Sequence, residues 1–346
     1  MSAVPRVVVF GAGAIGGLFG AYMAKAGEDV LLVDRVKAHV DAINATGMRI
    51  SGFDDVTIPV KACLPEELRG PLGIVFLAVK SQDTQGALDV LQPLAGPETV
   101  IVSLQNGVNP PAIAKRMGAG RTVGTFISFP SDWQGPGHIE HGGAGNIWIG
   151  ELDGTITPRL ERIAGLLSHS VTPHLTGNIY GYLWSKQIDS SLLFAQASTM
   201  ETFTSLYTNP RYHPLLIALL GEGINVAEAA GIRLEVFDNL DMHAMRPKTP
   251  AEAAKAAAIL TRFGEFWAPR VKKRSGPWRD LAVRKRPTEV DHMLGGVVAE
   301  GKRLGVPVPL NERLVEMIHE IERGERAQDL RNLDELDRMR LALTAA

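Results

Sequence analysis

Short apolar, β-branched runs alternate with amphipathic stretches through the first half of the chain. RVVVF (6–10), DVLLVD (29–34), LGIVFLAVK (72–80) and TVIVSLQ (99–105) are nearly continuous in apolar character, as strands buried on both faces of a parallel sheet must be. Helical periodicity fills about 14–26, 36–47 and 84–94 between them. That alternation predicts an α/β domain built on a doubly wound, mostly parallel sheet. From about 123 to 152, TVGTFISFPSDW and GNIWIGELDG predict further strands around a Gly-rich loop, and 158–169 supplies another helix. Beyond about residue 178 the strand signal stops. Residues 214–231, 250–267, 288–305 and 309–325 all carry helical periodicity, so an all-α domain is expected to follow. The boundary is placed between residues 178 and 179, giving domains 1–178 and 179–346. The charged tail beyond about 324 is expected to lie on the surface or fray.

Composition narrows the class. A chain of 346 residues exceeds what one core usually holds, in keeping with two domains. With 45% hydrophobic and 21% charged residues and a net charge of −2, it makes no electrostatic case for nucleic acid or an acidic membrane as partner. The single cysteine, Cys63, excludes an internal disulfide and fits a reducing compartment. The N-terminus lacks the basic start and cleavage site of a signal peptide, and no stretch approaches the ~20 apolar residues of a membrane span. A cytoplasmic protein is expected.

The first strand runs directly into Gly11-Ala12-Gly13-Ala14-Ile15-Gly16, a G-x-G-x-x-G in strand–turn–helix context. In such a turn Gly11 allows the tight bend, Gly13 lets a pyrophosphate approach, and Gly16 lets the helix pack on the strand, while the helix start offers free N–H groups to phosphate. Asp34 ends the second strand, where a carboxylate can accept hydrogen bonds from the adenosine ribose hydroxyls. Arg35 follows and could meet a 2′-phosphate instead. The first domain is therefore expected to be Rossmann-type, with NAD(H) favoured and NADP(H) an alternative. A purely structural turn, with Asp34 merely opening the next loop, is the competing explanation.

Four elements in order are similar to the ketopantoate (2-dehydropantoate) reductase family: GAGAIGG at the start, LAVK ending in Lys80, LQNGV (104–108), and WSK (184–186) paired with RPTEVD (286–291). The stretch PGHIEHGGAGNIWIGE (136–151) also resembles the family's second strand pair. The resemblance spans nearly the whole chain and implies a nucleotide domain followed by a helical one. It implies that Lys186 is the catalytic lysine, that Glu289 hydrogen-bonds the substrate hydroxyl, that Asn106 lies beside the nicotinamide, and that Lys80 faces cofactor phosphates or ribose. Three departures stand out. Ser190 and Phe194 occupy positions where the family lysine is normally followed by asparagines; Ser275-Gly276-Pro277 stands where a serine pair binds substrate; and the second strand ends in Asp34-Arg35 rather than an uncharged residue and arginine. They suggest retained chemistry with altered substrate recognition.

The chemistry is coherent. A ketone receiving hydride becomes an alkoxide that needs a proton and electrostatic support, and a lysine whose pKa is lowered by burial gives both. A snorkelling lysine is the competing explanation for Lys186. For Glu289 it is a helix start, with Thr288 as N-cap. Asn106-Gly107 could be a simple turn, and Ser190 could be helix packing. Asp189 either pairs with Lys186 at i+3 or faces solvent. His138 and His141 are spaced to hold a metal but lack partner ligands, so a loop role is preferred and no metal is expected. The basic stretch 270–286 could suggest nucleic acid; a surface loop beside an anionic substrate is preferred.

The expected protein is a nicotinamide-dependent oxidoreductase acting on a small, anionic 2-oxo or hydroxy acid other than pantoate. Lys186 and Glu289 are the catalytic candidates; Asn106, Ser190, Phe194 and Ser275 the substrate contacts. True 2-dehydropantoate reduction is one alternative and a non-catalytic dinucleotide sensor another. A homodimer is left open.

Overall fold

The computed structural model describes residues 7–269 and 273–345. Arg6, at the head of the first expected strand, and 270–272, at the head of the basic stretch, lie outside the described residues. The chain divides into two compact units after Ile179.

The first unit begins β1 (Val7–Phe10), α1 (Ala14–Lys25), β2 (Val30–Val33), α2 (Lys37–Thr46), β3 (Met48–Gly52), β4 (Val56–Ile58), β5 (Lys61–Cys63), β6 (Leu72–Leu77), α3 (Thr84–Leu91), β7 (Ala95–Ser103) and α4 (Pro110–Met117). It continues through β8 (Thr122–Ser128), β9 (Ser131–Gly135), β10 (His138–His141), β11 (Asn146–Glu151), α5 (Pro158–Leu167) and β12 (Pro173–Leu175). Eight strands form the main sheet in the order β12-β11-β8-β7-β6-β1-β2-β5. Its pairs are parallel except β8 with β11. Strand β1 shows why the sequence reads as a continuous apolar run. Val7 and Val9 join the core beneath α1 and α5, while Val8 and Phe10 join the core beneath α3 and α4. Both faces are covered, as in a doubly wound sheet. The chain crosses from β1 to β2 on one side and later returns to β6 on the other, so the switch point lies between β1 and β6.

Periodicity missed the second sheet. Strands β4-β3-β10-β9 form it, with β3 and β10 parallel and two antiparallel flanks. It explains the composition of α1, AIGGLFGAYMAK, which is apolar nearly all round. A Cβ on Gly20 would lie 2.3 Å from Leu32 of the main sheet, and one on Gly17 would lie 2.4 Å from Ile139 of the small sheet. Helix α1 is therefore pressed between two sheets. The histidines assigned to a loop sit in β10: His138 Nε2 is 2.8 Å from Ser51 Oγ, and His141 is buried beside the Phe53 ring. A four-residue strand is too short for periodicity to distinguish it from loop.

The second unit follows the opening residue of α6 (Ile179–Ala197), and contains α7 (Phe203–Tyr207), α8 (His213–Ala229), α9 (Pro250–Trp267), α10 (Gly276–Ala282), α11 (Leu294–Leu304), α12 (Pro309–Glu322) and α13 (Arg331–Ala345). Among its described residues the only strand-like pairing is a bridge between Phe237 and Leu240. Buried Asn311 joins three helices: it accepts from Ser191 Oγ of α6 and donates to Leu219 O and Glu222 Oε2 of α8. Two expectations need correction. Helix α11 starts at Leu294, and 288–293 forms a turn held by His292 N–H and Met293 N–H donating to Glu289 O. Thr288 does not cap it; its N–H and hydroxyl both donate to Glu322 Oε1. Of the two alternatives for the charged tail, it lies largely on the surface and does not fray. Leu333 and Leu336 are fully buried, and Glu335 pairs with Arg313 and Arg326, so α13 is anchored on apolar contacts that its charges obscure in the sequence. No helix among the described residues is long and apolar enough to cross a membrane.

Candidate functional site

The first unit collects Gly11–Gly16, Asp34, Arg35, Lys80 and Asn106 at the carboxyl ends of β1, β2, β6 and β7, the edge where open α/β sheets bind ligands. Gly11 has φ +102°, and a Cβ there would come within 2.8 Å of the Ala78 backbone. At Gly16 a Cβ would lie 2.0 Å from Gly11 O. Those two glycines are required by the protein's own packing. Gly13 is not: a Cβ there would meet nothing within 4 Å. Open space at the middle glycine, at the start of a long helix, fits a group that must approach the backbone closely, as a dinucleotide pyrophosphate does.

Asp34 is fixed by the backbone. Its Oδ2 accepts from Ala12 N–H at 3.0 Å and its Oδ1 from Val36 N–H at 2.9 Å. Arg35 turns outward, and its guanidinium pairs with Asp83 at 2.9 Å. The loops after β6 and β7 are tied together: Ser81 Oγ and Asn109 Nδ2 both donate to Asn106 O, and Gln105 Nε2 donates to Val79 O and Thr84 Oγ1. Lys80 is partly exposed and the Asn106 side chain exposed. One important residue went unnoticed in the sequence: His39 of α2, buried against the Ala12 carbonyl. A lone histidine at the start of a helix gives no local signal.

The second unit holds a separate cluster around Lys186. Burial is the largest influence on this lysine and lowers its pKa to about 8, opposed by the negative charges of Asp238, Asp189 and Glu289. The side chain keeps some solvent access, within a densely packed protein environment. Asp189, one turn further along α6, is only 5% exposed. Burial first and the Asp238 charge second push its carboxyl up to about 7, with Lys186 opposing. Its Oδ1 has no hydrogen-bond partner, and neither has the hydroxyl of fully buried Tyr207, whose own pKa is raised by burial and by the Asp189 charge.

The residues flanking Lys186 hold the loops that carry its acidic neighbours. Ser185 Oγ donates to Glu235 O at 2.7 Å and accepts from Glu235 N–H at 2.9 Å, fixing the segment that leads to Asp238. Gln187 Nε2 donates to His292 O at 3.1 Å and also to Met293 O, fixing the turn that carries Glu289. Asp238 sits in the left-handed region, φ +48°. Only the fold reveals Asp238, because 49 residues of chain carry no spacing signal that links it to Asp189.

Three expected substrate contacts belong to the interior in this conformation. Phe194 is fully buried in the core. Ser190 is equally buried and donates its hydroxyl to Gln187 O, the ordinary back-bond of a helical serine. Ser275 is the N-cap of α10, accepting from Trp278 N–H, while its own N–H donates to Gln196 Oε1. The geometry gives these side chains packing and capping roles. Among the described residues no group of three or more His, Cys, Asp or Glu side chains is placed to hold a metal.

A doubly wound sheet with this glycine turn at its switch point, followed by a helical unit carrying a lysine whose pKa burial lowers, fits the class of dinucleotide-dependent oxidoreductases. The chain belongs to the ketopantoate reductase PanE/ApbA family: the family model matches residues 7–154, and the model of its C-terminal part matches 178–322. It is similar to the 2-dehydropantoate 2-reductase of Archaeoglobus fulgidus, 27% identical over 324 residues, covering 93% of this chain and 99% of the relative. It is also similar to that of Pyrococcus abyssi, 28% identical over 310 residues, with 88% and 94% covered. Among solved structures, a ketopantoate reductase family protein from Ralstonia eutropha superposes with a TM-score of 0.77 at 27% identity, covering 92% of this chain and 99% of the other. D-mandelate dehydrogenase with NADH and anilino(oxo)acetate gives 0.80 at 21% identity over the same shares, a likeness of fold. The chain is thus an NAD(P)-dependent oxidoreductase of this family.

Proposed function

We propose that this enzyme moves a hydride between NAD(H) and a small 2-oxo or 2-hydroxy carboxylate, with Lys186 as general acid and base and Glu289 as its partner toward the substrate oxygen. The carrying observation is Lys186 itself. An ammonium whose pKa lies at about 8 can protonate a forming alkoxide and, when neutral, take the hydroxyl proton in the reverse direction. When bound, the nicotinamide supplies the hydride; the protein supplies the proton and its electrostatic setting. Gly11–Gly16 would hold the pyrophosphate, Asp34 the adenosine ribose, Lys80 cofactor phosphates or ribose, and Asn106 the nicotinamide end. The preference for NAD(H) is supported by the Asp34 carboxylate, which two backbone N–H groups fix at the end of β2. A 2′-phosphate about 4 Å away would be repelled by ~4 kcal/mol per charge pair at an effective dielectric near 20, which Arg35 could offset in part.

Two substrate readings share this chemistry. Ser190 and Phe194 in place of asparagines favour a 2-oxo acid other than 2-dehydropantoate, through the two amides that α6 lacks, since both side chains are themselves buried. The curated relatives, matched over almost their full length, favour 2-dehydropantoate itself. Steady-state assays of 2-dehydropantoate and a panel of 2-oxo acids with NADH and NADPH separate them. The expected result is a kcat/KM at least about tenfold higher with NADH, lost or reversed in Asp34→Ala. A clear NADPH preference in the unmutated enzyme would assign ribose reading to Arg35. Selective turnover of 2-dehydropantoate would establish the second reading.

A further inference from the structure

His39 stands third in α2, far from any expected role, yet it is 1% exposed and hydrogen-bonded on both sides of its ring. Its Nδ1 accepts from Gly137 N–H at 2.8 Å, in the turn between β9 and β10. A nitrogen that accepts carries no proton, so the ring proton resides on Nε2. That nitrogen lies 2.8 Å from Ala12 O and donates to it. The two partners therefore assign a single neutral tautomer.

Ala12 is held from the other side as well, because its N–H donates to Asp34. Both polar groups of one residue in the glycine turn are thereby fixed by side chains. The consequence passes to Gly13 through covalent geometry. In a trans peptide the C=O of residue 12 and the N–H of residue 13 point in opposite directions, so holding the Ala12 oxygen toward His39 aims the Gly13 N–H away from it. Gly13 is also the turn glycine whose Cβ position the protein leaves open. The small sheet adds a second tie, Ser131 Oγ donating to Ala14 O at 2.9 Å.

We infer that His39 is a positioning residue for the cofactor: it braces the glycine turn against the small sheet and so sets the direction of the Gly13 N–H that meets the pyrophosphate. This inference rests on the dinucleotide role proposed for the turn. It predicts an effect common to NADH and NADPH, since both carry the same pyrophosphate, and distinct from the discrimination exerted at Asp34.

The test uses the intact enzyme and the variants His39→Ala and His39→Gln, with Kd for NADH and NADPH from nicotinamide fluorescence, kcat at saturating cofactor, and Tm. His39→Ala should weaken both cofactors by about tenfold or more, change their ratio less than about threefold, and lower saturated kcat less than about threefold. Gln, whose amide donates where Nε2–H does, should recover most of the affinity. Nitrogen NMR of the unmutated protein should show a protonated Nε2 and a bare Nδ1 at His39, a readout that needs no variant to fold. Normal cofactor affinity in His39→Ala, with or without a lower Tm, would overturn the inference, as would the opposite tautomer or equal losses in Ala and Gln. An unmutated enzyme that bound neither cofactor would overturn the functional reading and this inference together, whereas normal binding by His39→Ala would overturn the inference alone.

Discussion

The glycine turn and the Lys186 cluster are built on opposite principles. Around the turn, polar groups are matched: Ala12 N–H with Asp34, Ala12 O with His39, Asn106 O with Ser81 and Asn109. Around Lys186, buried polar atoms are left over: Asp189 Oδ1, Gln187 Oε1 and the Tyr207 hydroxyl have no hydrogen-bond partner. A binding surface for a constant group needs fixed direction, which satisfied hydrogen bonds confer. A proton-transfer group needs a displaced pKa, which arises where charge is poorly solvated and incompletely matched. Leaving such atoms unmet costs stability, typically ~1–3 kcal/mol each.

The largest effect should come from removing the buried lysine itself. Lys186→Ala should lower turnover by ~10²–10⁴ while cofactor affinity stays within about threefold, because the two groups of residues do separate work. Single-turnover kinetics with a cofactor titration read both quantities, and near-normal turnover would end the assignment of Lys186.

Gly13→Ala probes the opposite region. Beyond the adjoining residues of the chain, nothing lies within 4 Å of the added methyl group, so Tm should hardly move, yet cofactor Kd should rise by about tenfold or more because the methyl occupies the approach to the backbone. Unchanged affinity would show that the pyrophosphate does not use this turn.

A smaller effect is expected in the pH profile. Reduction needs the ammonium form of Lys186, so kcat/KM in that direction should fall as pH rises through about 8, and oxidation should rise over the same interval. Asp238 raises the lysine's pKa, so Asp238→Asn should move that midpoint lower, by about half a pH unit or more. A midpoint that stayed in place would mean that the negative charge sustaining the lysine lies elsewhere.

The smallest change concerns Tyr207. Its buried hydroxyl has no hydrogen-bond partner, so Tyr207→Phe removes an unmet polar group and should leave Tm equal or higher, by up to ~1 kcal/mol in stability. A clear loss of stability would show that the hydroxyl is satisfied in solution, weakening the contrast between the two regions.

Much of this protein was settled by local sequence. The apolar β1 run, the three glycines and Asp34 specify a strand, a turn and a ligand edge within a short stretch of chain, because each requirement acts on neighbouring residues. The helix of residues 250–267 was legible for the same reason: Thr249 caps it and its apolar positions recur every turn. Lys186 and Glu289 entered as candidates only through a family resemblance, since neither carries a local mark of its surroundings. Tertiary structure decided the rest. Only packing shows that Phe194 and Ser275 are interior, that α13 is anchored by Leu333 and Leu336, and that α11 begins beyond Glu289. Likewise Asp238 reaches Lys186, and His39 reaches Ala12, across separations that no periodicity spans. Backbone preferences and hydrophobic repeats are short-range and written along the chain. Charge coupling and two-sided hydrogen bonding depend on distance in space, and only the folded chain fixes that distance.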